Sequence, residues 1–271
     1  MSAPTRQRDI PASIPGFGAT LHAEWRKLRF LRSTPIGVAL IVALSMAIGF
    51  VMTLISDGDS IASAQQDSEY SVIFYSSTLA TWAYAYLAAQ FVAAEFQGMG
   101  ESTFTATPRR SRVLSAKLVL VGLGGLIVGL VTSVVTVAVT QGSLASRGIP
   151  TLELADPGLL RAITLFLGMS MAVQGLLAAC AAVLMRSAAG GVIVIGLLAA
   201  LPVSLAEFLG TGFATTVPRR LPGAAIESIA GLSAPGSHGY LPPLHAGAWV
   251  LGWLLVFATV AFLRLRRTDL R

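Results

Sequence analysis

The sequence predicts an all-α membrane protein: six transmembrane helices, an N-terminal amphipathic helix in the membrane interface, and a short helix in the loop after the second span. Three observations predict this. Only 12% of the 271 residues are charged, about half of what a soluble domain carries. The 54% that are hydrophobic fall in blocks of about 20 residues, the length that crosses ~30 Å of hydrocarbon as a helix. The Lys and Arg residues gather in alternate connecting segments, which is the signature of a chain threaded back and forth through a bilayer. Mean hydropathy is +0.73. The net charge of +6 does not point to nucleic acid, because the cations flank apolar runs and form no separate basic domain.

In chain order, residues 1–19 read as a disordered cytoplasmic N-terminus, 20–264 as one transmembrane domain, and 265–271 as a cytoplasmic tail. Residues 20–32 read as an amphipathic helix. Leu21, Trp25, Leu28 and Leu31 form one stripe, and Arg26, Lys27 and Arg29 take the other faces. Ser33-Thr34-Pro35 marks a break before the first span, 35–55, which begins late enough to be expected as an uncleaved anchor. The further spans are 71–94, 113–140, 157–185, 188–209 and 246–263. Thr34-Pro35, Thr107-Pro108 and Asp156-Pro157 each set a capping side chain before a proline, which has no N–H to waste at the first helical position. A tight turn at Arg186-Ser187 joins the fourth and fifth spans, although Gly190-Gly191 is an alternative break. In the loop at 210–245, residues 221–231 read as a short helix with Ile226 and Ile229 on one face. That helix is either a re-entrant piece or part of a plain surface loop.

Six spans put nearly all the basic clusters on one side, so both termini are expected to be cytoplasmic. Arg6, Arg8, Arg26, Lys27, Arg29 and Arg32 precede the first span, Arg109, Arg110, Arg112 and Lys117 follow the second, and Arg264, Arg266, Arg267 and Arg271 follow the last. An odd number of spans would spoil this bias. Trp25, Arg26, Lys27, Arg29, Arg109, Arg110, Arg112 and Lys117 are therefore candidates for membrane-interface and topology roles.

No catalytic signature is present. There is no Gly-x-x-x-x-Gly-Lys-Ser/Thr phosphate loop and no Gly-x-Ser-x-Gly elbow. His22, His238 and His245 are scattered, and the single cysteine, Cys180, lies in an apolar run as a small hydrophobe. Gradient coupling requires ionisable groups inside spans. Glu207, near the outer end of the fifth, is the main exception, and Gln90 and Gln174 read as interhelical hydrogen-bond partners. Gly122, Gly125 and Gly129 form a small-residue face for close packing, within the chain or between copies. A membrane chain without an energy-converting site of its own borrows work from a partner or from a gradient.

The most informative stretch is the polar loop at 95–117, long enough for a helix between spans. Glu95 ends the second span, Gly98 and Gly100 permit a bend, and Thr107-Pro108 opens the third span. Together with Glu24-Trp25-x-Lys27-Leu28-Arg29-x-Leu31-Arg32-Ser33-Thr34, the pattern Glu95-Phe96-x-Gly98, followed by Thr107-Pro108-Arg109-Arg110-x-Arg112-Val113-Leu114-x-Ala116-Lys117, resembles the permease subunit of ABC-2 type transporters of high-GC Gram-positive bacteria. The resemblance covers nearly the whole chain, and its specific part is these two motifs. It implies that the N-terminal segment is an elbow helix, that the loop holds a coupling helix docking on a separate ATP-binding subunit, and that residues 211–244 form a re-entrant outer hairpin. The residues it assigns to coupling are Glu95, Phe96, Gly98, Gly100, Glu101, Phe104, Thr107 and Pro108. Gly98-Met99-Gly100-Glu101 departs from the Gly-Thr-basic run usual in that family. The implied partners are the ATPase subunit, a second permease chain (identical or homologous) and the lipid bilayer, with no nucleic acid. No cofactor is implied on this chain, since ATP and magnesium would sit on the partner. Export is the direction the resemblance favours. The alternatives are a non-transporting membrane interaction or immunity module that uses the same docking surface, and a gradient-driven carrier.

Overall fold

The computed structural model describes residues 16–56, 74, 76–96, 110–153, 155–209, 211–233, 235–237 and 239–268. Among the described residues all regular structure is helical. Nine α-helices follow in order among these residues: α1 Phe17–Phe30, α2 Ser33–Ile55, α3 Ser77–Ala93, α4 Arg110–Ser146, α5 Pro157–Met185, α6 Ala188–Leu209, α7 Thr211–Thr216, α8 Pro222–Ala230 and α9 Pro243–Thr268. A single 3-10 turn, Ala94–Phe96, extends α3, and another, Pro218–Arg220, precedes α8. The chain thus fits a membrane protein: α2, α4, α5 and α9 are long and apolar enough to cross a bilayer. The other two predicted spans fall outside that set. α3 has 17 residues, about 26 Å at 1.5 Å per residue. α6 has 22 residues, with Ala188–Ala199 as its apolar stretch among the residues whose side chains are described.

α5 is the hub. The most apolar stretch of α5 is 78% buried, against 22% for α2, 28% for α4 and 17% for α9. Its sequence explains this position. Gly168, Ala172, Gly175, Ala178, Ala179, Ala181 and Ala182 are too small to hold neighbours away, so α3, α4, α6, α8 and α9 all pack on it. Gly125 and Gly129 of α4 supply the complementary surface. A Cβ on Gly125 would stand 2.5 Å from Ala172 Cα, and one on Gly129 would stand 2.5 Å from the Leu167 carbonyl oxygen. The predicted glycine face is therefore an intrachain contact. Gly122, one turn away, meets only the Leu176 side chain, at 3.6 Å.

The predicted boundaries fare differently. Asp156 caps α5 as expected, accepting from the Gly158 and Leu159 amides at 3.2 and 2.9 Å, with Pro157 at the first helical position. The turn at 186–187 is also as expected. Arg186 ends α5 in the left-handed region (φ 51°), and Ser187 Oγ accepts from the Gly190 amide at 3.3 Å. Gly190-Gly191 does not break α6. Gly191 lets α6 lie against α5, where a Cβ would sit 2.7 Å from the Ala178 carbonyl oxygen. Thr34 is not a cap: the chain bends at Leu31 (ψ 106°) and α2 already begins at Ser33. Pro35 then falls in the first turn, where its missing N–H leaves no bond unmade. Thr107-Pro108 lies outside the described residues.

A hydroxyl seam joins α2 to α4. Ser45 Oγ is 2.6 Å from Ser76 Oγ and 3.0 Å from Thr136 Oγ1, and Thr53 Oγ1 donates to Ser143 Oγ at 2.8 Å. Gly49 lies between these bonds, beneath the methyl groups of Thr136 and Thr140. At the far end of the seam Arg147 donates to the Thr53 and Ser56 carbonyls, closing the C-terminus of α2.

The predicted helix within 221–231 is α8, with Ile226 fully buried and Ile229 packed at the edge of the same core. It ends at Gly231 in the left-handed region, φ 85°, a conformation glycine adopts without a Cβ clash. α8 does not lie free. It packs between α5 and α9, Ser228 Oγ bonds the following loop at Gly239 and Leu241, and Arg161 of α5 donates to the Ile229 carbonyl.

Candidate functional site: a buried charge cluster between α1, α3 and α4

Four charged side chains from three elements meet where the end of α3 and the first turns of α4 approach α1. Glu24 comes from the inner face of α1 and Lys27 from the next turn of the same helix. Glu95 comes from the 3-10 turn that ends α3, and Lys117 from two turns inside α4. Lys27 Nζ lies 2.6 Å from Glu24 Oε1 and 3.3 Å from Glu95 Oε1. Lys117 Nζ lies 3.0 Å from Glu24 Oε2 and 3.1 Å from Glu95 Oε1. Lys117 also donates to the Phe91 carbonyl at 3.0 Å, and its ammonium stands 3.8 Å from the centre of the Phe91 ring. Its contact with Glu24 Oε2 is off the hydrogen-bonding direction, so that link is charge against charge.

Burial decides how much the arrangement matters. Glu24 and Lys117 are each 2% exposed, while Lys27 is open along one side. A lone buried ion costs several kcal/mol. Here two carboxylates offset two ammoniums, and each buried charge has opposite charges on two sides. Burial opposes the Glu95 charge, but the ammoniums of Lys117 and Lys27 outweigh it and hold the carboxyl below its ordinary value. For Lys27 burial again opposes the charge, and the carboxylates of Glu24 and Glu95 raise its pKa despite it. Glu95 and Lys27 are therefore both charged at neutral pH.

The consequence is mechanical. Glu95 and Lys117 stand on either side of the segment 97–109, and both are joined to α1. The end of α3, the first turns of α4 and the N-terminal helix are held as one unit. Around it, Val92, Leu114, Cys180, Val183, Ala261 and Leu265 form an apolar cluster, with Phe96 packed on its edge. That cluster joins the C-terminal ends of α3, α5 and α9 to the N-terminal end of α4.

The predicted coupling residues divide here. Glu95 is in the charge cluster and Phe96 in the apolar one. Gly98, Gly100, Glu101, Phe104, Thr107 and Pro108 lie outside the described residues, as does Arg109. Of the predicted interface residues, Trp25, Arg26 and Arg29 are exposed, and Arg110 and Arg112 are half-buried at the start of α4. Lys117 departs from its expected place. Its charge suggested a membrane surface, but it lies seven residues into α4, where α1 covers it. Lys27 is likewise turned inward.

Glu24 is the residue the pattern missed. The stripe of Leu21, Trp25, Leu28 and Leu31 put Trp25 on the apolar side. In the structure the inner face is rotated by about one residue, so Glu24 is buried and Trp25 is 51% exposed. The available signal was a carboxylate in register with Leu21 and Leu28, which a basic surface helix has no reason to carry. Gln90 bonds Tyr86 on the outside of α3, and Glu207 lies in α6 with its side chain outside the described residues. No group of His, Cys, Asp or Glu able to hold a metal occurs among the described residues.

Comparison with known proteins finds no matching family model, no matching curated protein and no matching solved structure.

Proposed function

We propose that this chain is the membrane-spanning permease subunit of an ABC-2 type transporter, working as an exporter and driven by a separate ATP-binding subunit. The observation that supports it best is the charge cluster, which clamps both flanks of segment 97–109 to α1. A loop that only connected two spans would need no such support. A loop that receives force from a partner needs a stiff base, or the force is lost in local bending. In this reading α1 is the elbow helix, 97–109 carries the coupling helix, and α3 and α6 are two further spans packed on α5, which gives six passes. α8, held between α5 and α9, is the re-entrant piece. Nucleotide binding on the ATPase would move the clamped unit and bias the α2–α5 bundle between inward-facing and outward-facing states. Two permease chains would enclose the path, and both termini would be cytoplasmic in a bacterial plasma membrane.

The test is co-expression with candidate ATP-binding subunits from the same genome, purification in mild detergent, and reconstitution in liposomes. The complex should hydrolyse ATP, and Glu95→Ala should still assemble with its partner while losing the link between hydrolysis and transport. Failure to recover any complex would overturn the reading, and wild-type transport by Glu95→Ala would remove Glu95 from the coupling path.

A further inference from the structure

The outer face of α1 carries a feature that the charge cluster does not use. His22, Trp25, Arg26, Arg29 and Phe30 line a shallow concavity of about 450 Å³. Their spacing of three and four residues puts them on one side of the helix, opposite Glu24. Trp25 is 51% exposed and Phe30 81% exposed. Arg26 and Arg29 are exposed, and neither has a hydrogen-bond or ion-pair partner among the described residues. This contrasts with Lys27, between them in sequence, which is turned inward onto two carboxylates. Placement adds the second observation. The chain bends at Leu31 and the apolar helix α2 starts at Ser33, so the concavity lies within a turn or two of the point where the chain would enter the hydrocarbon.

We propose that this face of α1 is a binding site for the headgroup of an anionic phospholipid. Two guanidiniums one turn apart offer forked donors to one phosphate, and the flanking Trp25 and Phe30 lie at the level where aromatic rings meet acyl chains. The charge pattern selects an anionic lipid: two unpaired arginines and a histidine, with no carboxylate on that face. Because α1 is tied through Glu24 and Lys27 to Glu95 and Lys117, lipid bound on its outer side would steady the inner side that supports segment 97–109. The site requires only a membrane-embedded chain and stands independently of the transport reading.

The experiment uses the full chain in nanodiscs containing either brominated phosphatidylglycerol or brominated phosphatidylcholine at equal mole fraction. The fluorescence of Trp25 is read as the difference between the wild type and Trp25→Phe. Phosphatidylglycerol should quench Trp25 more strongly than phosphatidylcholine. The double variant Arg26→Gln/Arg29→Gln should lower the apparent affinity for phosphatidylglycerol by about tenfold or more, the effect of two cations at an anionic surface, while the double Lys variant, which keeps the charge and loses the fork, should fall between the two. Both arginines are exposed, so the Gln variant should keep its thermal transition, and an unchanged preference in it would overturn the assignment. Equal quenching by both lipids would reduce the face to apolar immersion, and no quenching by either would turn it toward the aqueous phase. Loss of the preference on adding inorganic phosphate would reassign the site to a free anion. Each of these last three results also overturns the proposal.

Discussion

At the scale of single residues, the chain concentrates its electrostatic risk in one place. Lys117 has three acceptors within reach: a carboxylate oxygen from Glu24, one from Glu95, and the Phe91 carbonyl. Removing its ammonium would leave Glu24 buried, with only Lys27 to answer it. Breaking one partner of a buried pair costs about 3–5 kcal/mol. Lys117→Met should therefore lower the thermal transition of the purified chain markedly, and Glu24→Gln should do the same. The double variant should be less damaged than the sum of the two, because neither charge is then left alone, and strict additivity of the transition temperatures would show that the two do not interact. The pH dependence follows from the same contacts. Glu95 is held below its ordinary value of 4.5, so its contribution is complete above that value and fades as pH falls through the lower folded-state value. Lys27 is held above 10.5, so its share is complete below that value and fades as pH rises through the folded one. The stability gap between wild type and Glu95→Gln should be flat across neutral pH and shrink below about pH 4.5. A gap that closed near pH 7 would contradict the ion pairing.

At the scale of elements, small residues decide which helices touch. The α4–α5 contact is close because Gly125 and Gly129 face Ala172 and Gly168. A Cβ at either glycine would meet backbone at 2.5–2.6 Å, and backbone in a helix cannot step aside. Gly125→Ala or Gly129→Ala should destabilise by about 1–3 kcal/mol, as overpacking does. Gly122→Ala, with the nearest atom at 3.6 Å on a flexible leucine, should be tolerated. Equal thermal transitions for the three variants would mean that α4 and α5 do not approach this closely. That glycine face was legible in sequence because its spacing is set by helix geometry alone, as was the Asp156-Pro157 cap, which depends on neighbours within one turn. The inner face of α1 was less legible. The apolar stripe offered two registers differing by one residue, and the choice between them rests on Glu95 and Lys117, which are far away in the chain. Lys117 was misplaced for the same reason: a lysine near the end of a span reads as a surface cation unless the helix that covers it is known.

At the scale of the whole molecule, the helices sort their ends. The apolar cluster around Cys180 gathers the last turns of α3, α5 and α9 with the first turns of α4, and the charge cluster adds α1. The opposite end holds Arg147 closing α2, and α8 tied to the start of α5 by Arg161. The end of α3, the start of α4, the turn at Arg186 and the end of α9 therefore lie at one end of the bundle. Residue 233, just beyond α8, lies at the other. In the proposed six-pass reading α3 and α6 are passes as well. It also sets a test on intact cells. Cys180 is the only cysteine and is buried, so the parent should give little background with a membrane-impermeant maleimide. Ser111→Cys should react only once the reagent can reach the cytoplasm, whereas Ser233→Cys should react from outside. Labelling of both from the same side would require an even number of crossings between the start of α4 and the segment after α8. One of α4, α5 and α6 would then not cross, and the assignment of three passes to that stretch would fall.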